Sequence, residues 1–219
     1  MKNEEALQTV KEIKTLMEQS SKFLSFSGLS AVIVGAYALV AAYVAQQILD
    51  SATAVHSGEY SASEYFAISH VGAELALKLL ALAIAVFLLS WTTVLFLAWR
   101  KARRINARFF SRVTYRTALH FFLPLFTGGI FCFALLFNGY VALIAPAMLL
   151  FYGLSLVDIA KYTHKSFFLL GCAELCLGII CAFLPGKGLL FWAVGFGVLH
   201  VIYGLCYYFG VERAKKSGR

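Results

Sequence analysis

Six long apolar stretches alternate with short polar segments along the chain of 219 residues. A helix needs roughly 20 consecutive, mostly apolar residues to cross the hydrocarbon core of a bilayer. The pattern therefore predicts an all-α, polytopic membrane protein, a bundle of six transmembrane helices. The predicted spans lie at about residues 23–49, 73–99, 118–137, 140–159, 166–184 and 189–210.

Polar residues gather at both ends of the chain. Within residues 1–22, apolar side chains recur every three or four positions and so share one helical face. This segment is predicted to be a cytoplasmic amphipathic helix on the membrane surface or against the bundle. Residues 211–219 are predicted to form a short polar tail, also cytoplasmic.

The basic residues predict the orientation of the chain. Of the 19 Lys and Arg residues, 17 fall into four patches, at residues 1–22, 100–116, 161–165 and 213–219. The loop at residues 50–73 contains none. Cytoplasmic segments keep Lys and Arg while translocated segments lose them. We therefore predict a multi-pass membrane protein with both termini in the cytoplasm.

The composition agrees with this prediction. Hydrophobic residues make up 61% of the chain, compared with roughly 45–50% in soluble proteins. The net charge of +8 is then a consequence of topology. The expected partners are the lipid bilayer and anionic lipid headgroups, not nucleic acid.

A ridge of small residues runs along the first span. Small residues let two membrane helices approach closely. The ridge therefore predicts a helix contact, either with another span or with a second copy of the chain in a homo-oligomer. Its members are Gly28, Ala31, Gly35, Ala38, Ala42 and Ala45.

Five arginines spaced four apart follow the second span. In a continuous helix they would form one basic stripe. One interpretation is an anchor on the cytoplasmic side of the membrane; the alternative is a binding site for anionic lipid headgroups. The five are Arg100, Arg104, Arg108, Arg112 and Arg116.

Helix-breaking residues occur in the third and fourth spans. The third contains Pro124 and the pair Gly128–Gly129, and the fourth contains Pro146. Membrane helices kink most readily at such positions. Two facing kinks could leave a cavity at mid-depth, as in many transporters, or could merely shape the packing.

Two ionisable residues lie deep within spans. Glu174 lies in the fifth span between Gly171 and Gly178, and His200 lies in the sixth between Gly197 and Gly204. Since both lie at similar depth in antiparallel neighbours, we predict a direct or water-bridged contact. In a structural interpretation each residue satisfies the other; in a functional one the pair exchanges a proton for transport or pH sensing.

Other polar residues are predicted to lie near the membrane surface. Glu74 and Lys78, one turn apart, are expected to pair. At the cytoplasmic ends of the third and fourth spans the sequence predicts interfacial, solvated groups. These are His120, Asp158, Lys161, Tyr162 and His164.

No catalytic motif is present. The sequence lacks G-x-S-x-G, H-E-x-x-H, a phosphate-binding glycine loop and C-x-x-C. The five cysteines lie in apolar segments and are interpreted as small apolar side chains. We therefore expect no enzyme activity, metal or cofactor.

The residues from Leu170 to Leu205, a glycine-spaced hairpin around Pro185–Gly186, resemble the hairpin repeat of HdeD-type acid-resistance membrane proteins. As a whole the chain is similar to the uncharacterised six-span proteins of bacterial inner membranes. It differs from the HdeD type in its long Arg-bearing loop and amphipathic start. The resemblance implies a stress-related membrane role with no assigned reaction or site residues.

Three functional hypotheses follow. The first is a non-enzymatic membrane scaffold, sensor or stress protein. The alternative is a small proton-linked transporter or channel that uses Glu174 and His200. A further alternative is a protein that binds anionic lipid through the arginine stripe.

Overall fold

A computed structural model describes residues 28–55, 71–104 and 112–213. Within these ranges six helices are long and apolar enough to cross a membrane. The predicted all-α, six-helix architecture is therefore confirmed, and the chain is a multi-pass membrane protein. The predicted amphipathic helix at residues 1–22, residues 214–219 of the tail, and Arg108 lie outside the described residues.

The described residues form six long helices in chain order. The first three are α1 (Gly28–Val55), α2 (Val71–Arg104) and α3 (Arg112–Phe137). A 3₁₀ turn at Val141–Leu143 leads into α4 (Ile144–Ile159), which is followed by α5 (Lys165–Ala182). The last helix, α6, covers residues 188–213 and contains α-helical segments at Gly188–Trp192 and His200–Tyr207 and π-helical segments at Ala193–Leu199 and Tyr208–Arg213.

Two tight turns join consecutive spans. Gly139, between α3 and the 3₁₀ turn, has φ of +78°, and Gly186, between α5 and α6, has φ of +89°. Glycine adopts this left-handed backbone without steric cost. At the first of these turns, the backbone N–H of Tyr140 donates to the carbonyl of Leu135 at 2.8 Å.

The helices form two groups. In one, α4 packs between α3 and α5; in the other, α1 packs between α2 and α6. The groups meet where the first half of α6 lies against α4 and α5. Thus α5 and α6, although consecutive, are not each other's main packing partners.

Glycines bring the backbones of α1 and α6 into contact. A β-carbon added at Gly28 would lie 2.6 Å from the carbonyl oxygen of Gly204, and one added at Gly204 would lie 2.6 Å from that of Gly28. A β-carbon at Gly35 would likewise lie 2.7 Å from the oxygen of Gly197. The glycines of the predicted ridge therefore pack within the chain, against α6.

The other ridge residues differ in exposure. Ala38, Ala42 and Ala45 are buried, and Ala31 is half-buried. Between α4 and α5, Gly153 and Gly171 make the equivalent contact. A β-carbon on either would lie within 2.9 Å of the other's carbonyl oxygen. Close backbone approach of this kind supports helix association in lipid.

The predicted kink positions behave differently from one another. Pro124 lies inside α3, which continues as α-helix on both sides. Pro146 is the third residue of α4, after the 3₁₀ turn. Proline is tolerated there, because a residue in the first turn of a helix has no intrahelical partner for its N–H.

The two glycines of α3 face opposite environments. A β-carbon at Gly128 would lie 2.4 Å from the β-carbon of Phe151 on α4, whereas Gly129 has nothing within 4 Å of that position. Phe151 thus occupies the space that a side chain at position 128 would need. At this level α3 and α4 are in direct contact, and no gap separates them there.

Because their surroundings differ, Gly128→Ala and Gly129→Ala are expected to change the free energy of unfolding differently. The first should lower the free energy of unfolding by about 1–3 kcal/mol, since the β-carbon of Phe151 cannot move without its backbone. The second should be neutral or stabilising by up to about 1 kcal/mol, since alanine favours a helix more than glycine does. Equilibrium unfolding in mixed detergent would measure both. Equal stability of the two variants would contradict the α3–α4 contact.

Candidate functional site

Glu174 of α5 and His200 of α6 lie together inside the bundle. Their exposed fractions are 0% and 4%. Oε1 of Glu174 lies 3.6 Å from Nδ1 of His200. That separation brings the pair within electrostatic contact but exceeds the length of a hydrogen bond.

The glycines flanking these residues do not form the contact between them. Gly171 and Gly178 face α4, while Gly197 and Gly204 face α1. The stripes pack outward on α4 and α1, and Glu174 and His200 meet where the two helix groups join.

The carboxyl group of Glu174 packs against Gly195 of α6. A β-carbon at Gly195 would lie 2.5 Å from Oε2 of Glu174 and 2.5 Å from Cδ2 of Leu149. Gly195 lies in the π-helical segment Ala193–Leu199, where residues five apart are aligned. This geometry brings Gly195 and His200 to one side of α6, and helical periodicity in the sequence did not reveal it.

Both ring nitrogens of His200 have oxygen partners. Nδ1 lies 3.0 Å from the carbonyl oxygen of Gly195, and Nε2 lies 2.7 Å from the hydroxyl of Tyr152. A carbonyl oxygen can only accept, so Nδ1 carries the hydrogen and donates it. In the neutral ring, Nε2 then accepts the hydroxyl hydrogen of Tyr152. Sequence analysis missed Tyr152, which is an ordinary aromatic residue of an apolar span.

The carboxyl group of Glu174 has no such partner. Within the part of the chain that the structure describes, neither oxygen accepts or donates a hydrogen bond. An ionised carboxylate in this position would be a buried, unbonded charge, which is costly in a membrane span. Protonation of the carboxyl group removes the charge, and protonation of His200 balances it. Either change adds one proton to the pair.

Aromatic rings surround this pair on the side of α4 and α6. The ring centroid of Phe196 lies 4.9 Å from that of Tyr152, and Phe196 stacks on His200 at 6.3 Å. Beyond Tyr152 the buried core consists of Leu156, Ile159, Phe167 and Leu170. The apolar surroundings strengthen electrostatic interactions within the site.

A second polar cluster joins α3 to the end of α4. Nδ1 of His120 lies 2.7 Å from Oδ2 of Asp158, and Nζ of Lys161 donates to Oδ1 of Asp158 at 2.7 Å. The Tyr162 hydroxyl lies 3.1 Å from Nε2 of His120. His120 and Asp158, which were expected near the membrane surface, are partly exposed and are bonded to each other. His164 packs on the ring of Tyr207 at 5.4 Å.

Lys161 follows α4 and lies outside the spans. Its hydrogen bond to Asp158, and the charge of that carboxylate, raise the pKa of the Lys161 ammonium. Lys161 therefore stays positively charged at every physiological pH and keeps one oxygen of Asp158 occupied.

The predicted arginine stripe is divided between two helices. Arg100 and Arg104 are exposed at the end of α2, Arg112 begins α3, and Arg116 is exposed one turn later. The guanidinium of Arg103 lies 4.3 Å from the ring centroid of Trp99, a cation–π contact. We call this end of the bundle, where α2 ends and α3 begins, the basic end.

Two further features concern the rest of the chain. The predicted pairing of Glu74 and Lys78 is confirmed, at 2.7 Å between Oε1 and Nζ. Among the described residues, no group of three His, Cys, Asp or Glu side chains could hold a metal ion.

Comparison with known proteins gives no assignment: no family model, no curated protein and no solved structure matches this chain.

Proposed function

We propose that this protein is a proton-responsive membrane sensor, in which Glu174 and His200 take up and release one proton inside the helix bundle. The supporting observation is the fully buried carboxyl group of Glu174, which has no hydrogen-bond partner among the described residues. Ionisation of this group leaves a buried charge without a hydrogen bond, whereas protonation removes that charge and breaks no existing hydrogen bond.

The competing structural interpretation requires Glu174 and His200 to satisfy each other. It is less well supported, because His200 directs Nδ1 to Gly195 and Nε2 to Tyr152. The 3.6 Å separation leaves the carboxyl group unbonded. A pair that only fixed the register of two helices would be expected to form the bond.

Protonation at this position would act on the packing of both helix groups. His200 lies one turn from Gly197 and Gly204, which contact α1, and Glu174 lies one turn from Gly171 and Gly178, which contact α4. Such contacts tolerate very little movement. A change of charge between α5 and α6 would therefore bias the way in which the two groups fit together, which is how a sensor would pass on its signal.

The variant Glu174→Gln tests this proposal, with Glu74→Gln as its matched control. Both remove one carboxyl group, but Glu74 is exposed and pairs with Lys78. We expect an infrared carboxyl band that changes with pH in the wild type, that is lost in Glu174→Gln and that persists in Glu74→Gln. Proton uptake after a pH jump should fall by one proton per chain only in Glu174→Gln.

A wild-type protein whose Glu174 band stays constant from mildly acidic to mildly alkaline pH would overturn the proposal. The structural interpretation would then remain. The same measurement with vesicles under a pH gradient separates sensing from proton-linked transport, since only a transporter carries protons across the membrane.

Finer aspects of location are part of the same proposal. The absence of Lys and Arg from residues 50–73 supports a bacterial inner membrane with both termini in the cytoplasm. The basic end would then face the cytoplasm. There, exposed Arg100, Arg104 and Arg116 favour anionic lipid binding as a second candidate role.

A further inference from the structure

The cluster at the basic end repeats the bonding pattern of the buried histidine. In His200, Nδ1 donates to an oxygen and Nε2 faces a tyrosine hydroxyl. In His120, Nδ1 faces a carboxylate oxygen of Asp158 and Nε2 faces the hydroxyl of Tyr162. The two tyrosines belong to α4 and to the turn that follows it.

We propose that His120 and Asp158 form a proton-exchange site, which we call the exchange site. Through it, Glu174 and His200 would exchange a proton with the surrounding solution. This inference rests on the proposed function, because it assumes that the buried pair binds a proton. Glu174 and His200 are 0% and 4% exposed, so they cannot exchange a proton with water directly. The proposal assigns this exchange to a second site.

The side chains of the exchange site are exposed at the surface of the bundle, whereas those of the buried pair are not. The side chains of His120 and Asp158 are 36% and 29% exposed. Histidine is the side chain that ordinarily changes charge near neutral pH. Nδ1 of His120 lies against Oδ2 of Asp158, and Nε2 lies against the hydroxyl of Tyr162.

The charged groups around His120 favour this role. Lys161 occupies Oδ1 of Asp158 and leaves Oδ2 to His120. The ammonium favours the ionised carboxylate, so the added proton resides on the imidazole. On its own helix the nearest charged group is Arg116, one turn earlier and exposed.

The two sites are close together along α4. Asp158 follows Tyr152 by six residues, which is about 9 Å along a helix. Phe121, adjacent to His120, lies edge-on to the ring of Tyr152 at 6.2 Å between centroids. The proposed proton transfer between the two sites therefore runs along the contact between α3 and α4.

A different route could lead along α6. Tyr203 stacks on Tyr207 at 6.0 Å, and Tyr207 meets His164 at 5.4 Å. His164 lies at the same end of the bundle as His120. It is therefore the matched control, a histidine that a route through α6 would use and a route through the exchange site would not.

The experiment follows the Glu174 carboxyl band in full-length protein after a rapid pH jump. In His120→Gln we expect the rate of the band change to fall by about tenfold or more, since proton transfer by a positioned side chain is commonly worth at least that. The final extent of the change should equal that of the wild type. In His164→Gln both rate and extent should be those of the wild type.

Tyr162→Phe provides a second variant that keeps the ring packed against His120 and removes only the hydroxyl. It should also slow the change. An unchanged rate in both His120→Gln and Tyr162→Phe, or an equal slowing in His164→Gln, would overturn the exchange site while leaving the proposed function intact. A wild type with no pH-dependent Glu174 band would overturn both.

Discussion

Substitution of Gly204 by leucine is expected to separate α6 from α1 and to lower the free energy of unfolding by about 3 kcal/mol or more, the upper range of overpacking effects. A β-carbon at this position would lie 2.6 Å from the carbonyl oxygen of Gly28 and 2.7 Å from the amide nitrogen of Val32. Both are backbone atoms, so no change of rotamer can relieve the clash. The helices must move apart, and the neighbouring contact of Gly35 with Gly197 is lost with it.

Gly210→Leu is the control for this variant. Gly210 lies in the same helix, is exposed, and has nothing within 4 Å of its β-carbon position. The variant Gly210→Leu should therefore retain the stability of the wild type, as measured by equilibrium unfolding in mixed detergent micelles. If Gly204→Leu and Gly210→Leu unfolded at the same detergent composition, the α1–α6 contact would be refuted.

The second large effect is expected for His200→Leu. This change leaves the Tyr152 hydroxyl without its partner and removes the group that balances the charge of Glu174. Loss of one partner of a buried polar pair typically costs about 3–5 kcal/mol. We expect the free energy of unfolding to fall by that amount at mildly alkaline pH. At mildly acidic pH it should fall by less, because a protonated Glu174 needs no cation beside it.

The double variant Glu174→Leu with His200→Leu provides the control. Since it removes both ionisable groups, it should recover much of the stability, and its unfolding should depend less on pH than that of His200→Leu alone. A coupling of about 0.5–3 kcal/mol between the two sites would be typical of residues in contact. A cost of His200→Leu that did not vary with pH would argue against proton binding by Glu174.

The number and approximate bounds of the spans could be predicted because hydrophobicity is a property of each segment alone. The same holds for the pairing of Glu74 with Lys78, one turn apart. Glu174 and His200 were identifiable because an ionisable residue deep in an apolar span is rare and costly. None of these conclusions requires knowledge of which helix lies beside which.

Partner choice between helices could not be predicted in this way. Gly171, Gly178, Gly197 and Gly204 were correctly seen as stripes, but their partners are α4 and α1. Many helix pairs in a bundle can bury a small-residue stripe. The choice depends on the summed fit of all six helices, and spacing within one helix carries no information about it.

The chemistry of the site depends on that choice. Tyr152 reaches His200 because α4 lies against the first half of α6, and His120 reaches Asp158 because α3 packs on α4. The π-helical segment that turns Gly195 toward Glu174 has no local sequence signal comparable to a turn.

The sequence by itself thus determined that the chain forms six membrane-spanning helices and carries two deep ionisable residues, because those follow from the composition of each segment. Only the tertiary structure decided that Glu174 has no hydrogen-bond partner among the described residues while His200 has two. That difference arises from contacts between α4, α5 and α6, which are distant in sequence and are fixed by the packing of the whole bundle.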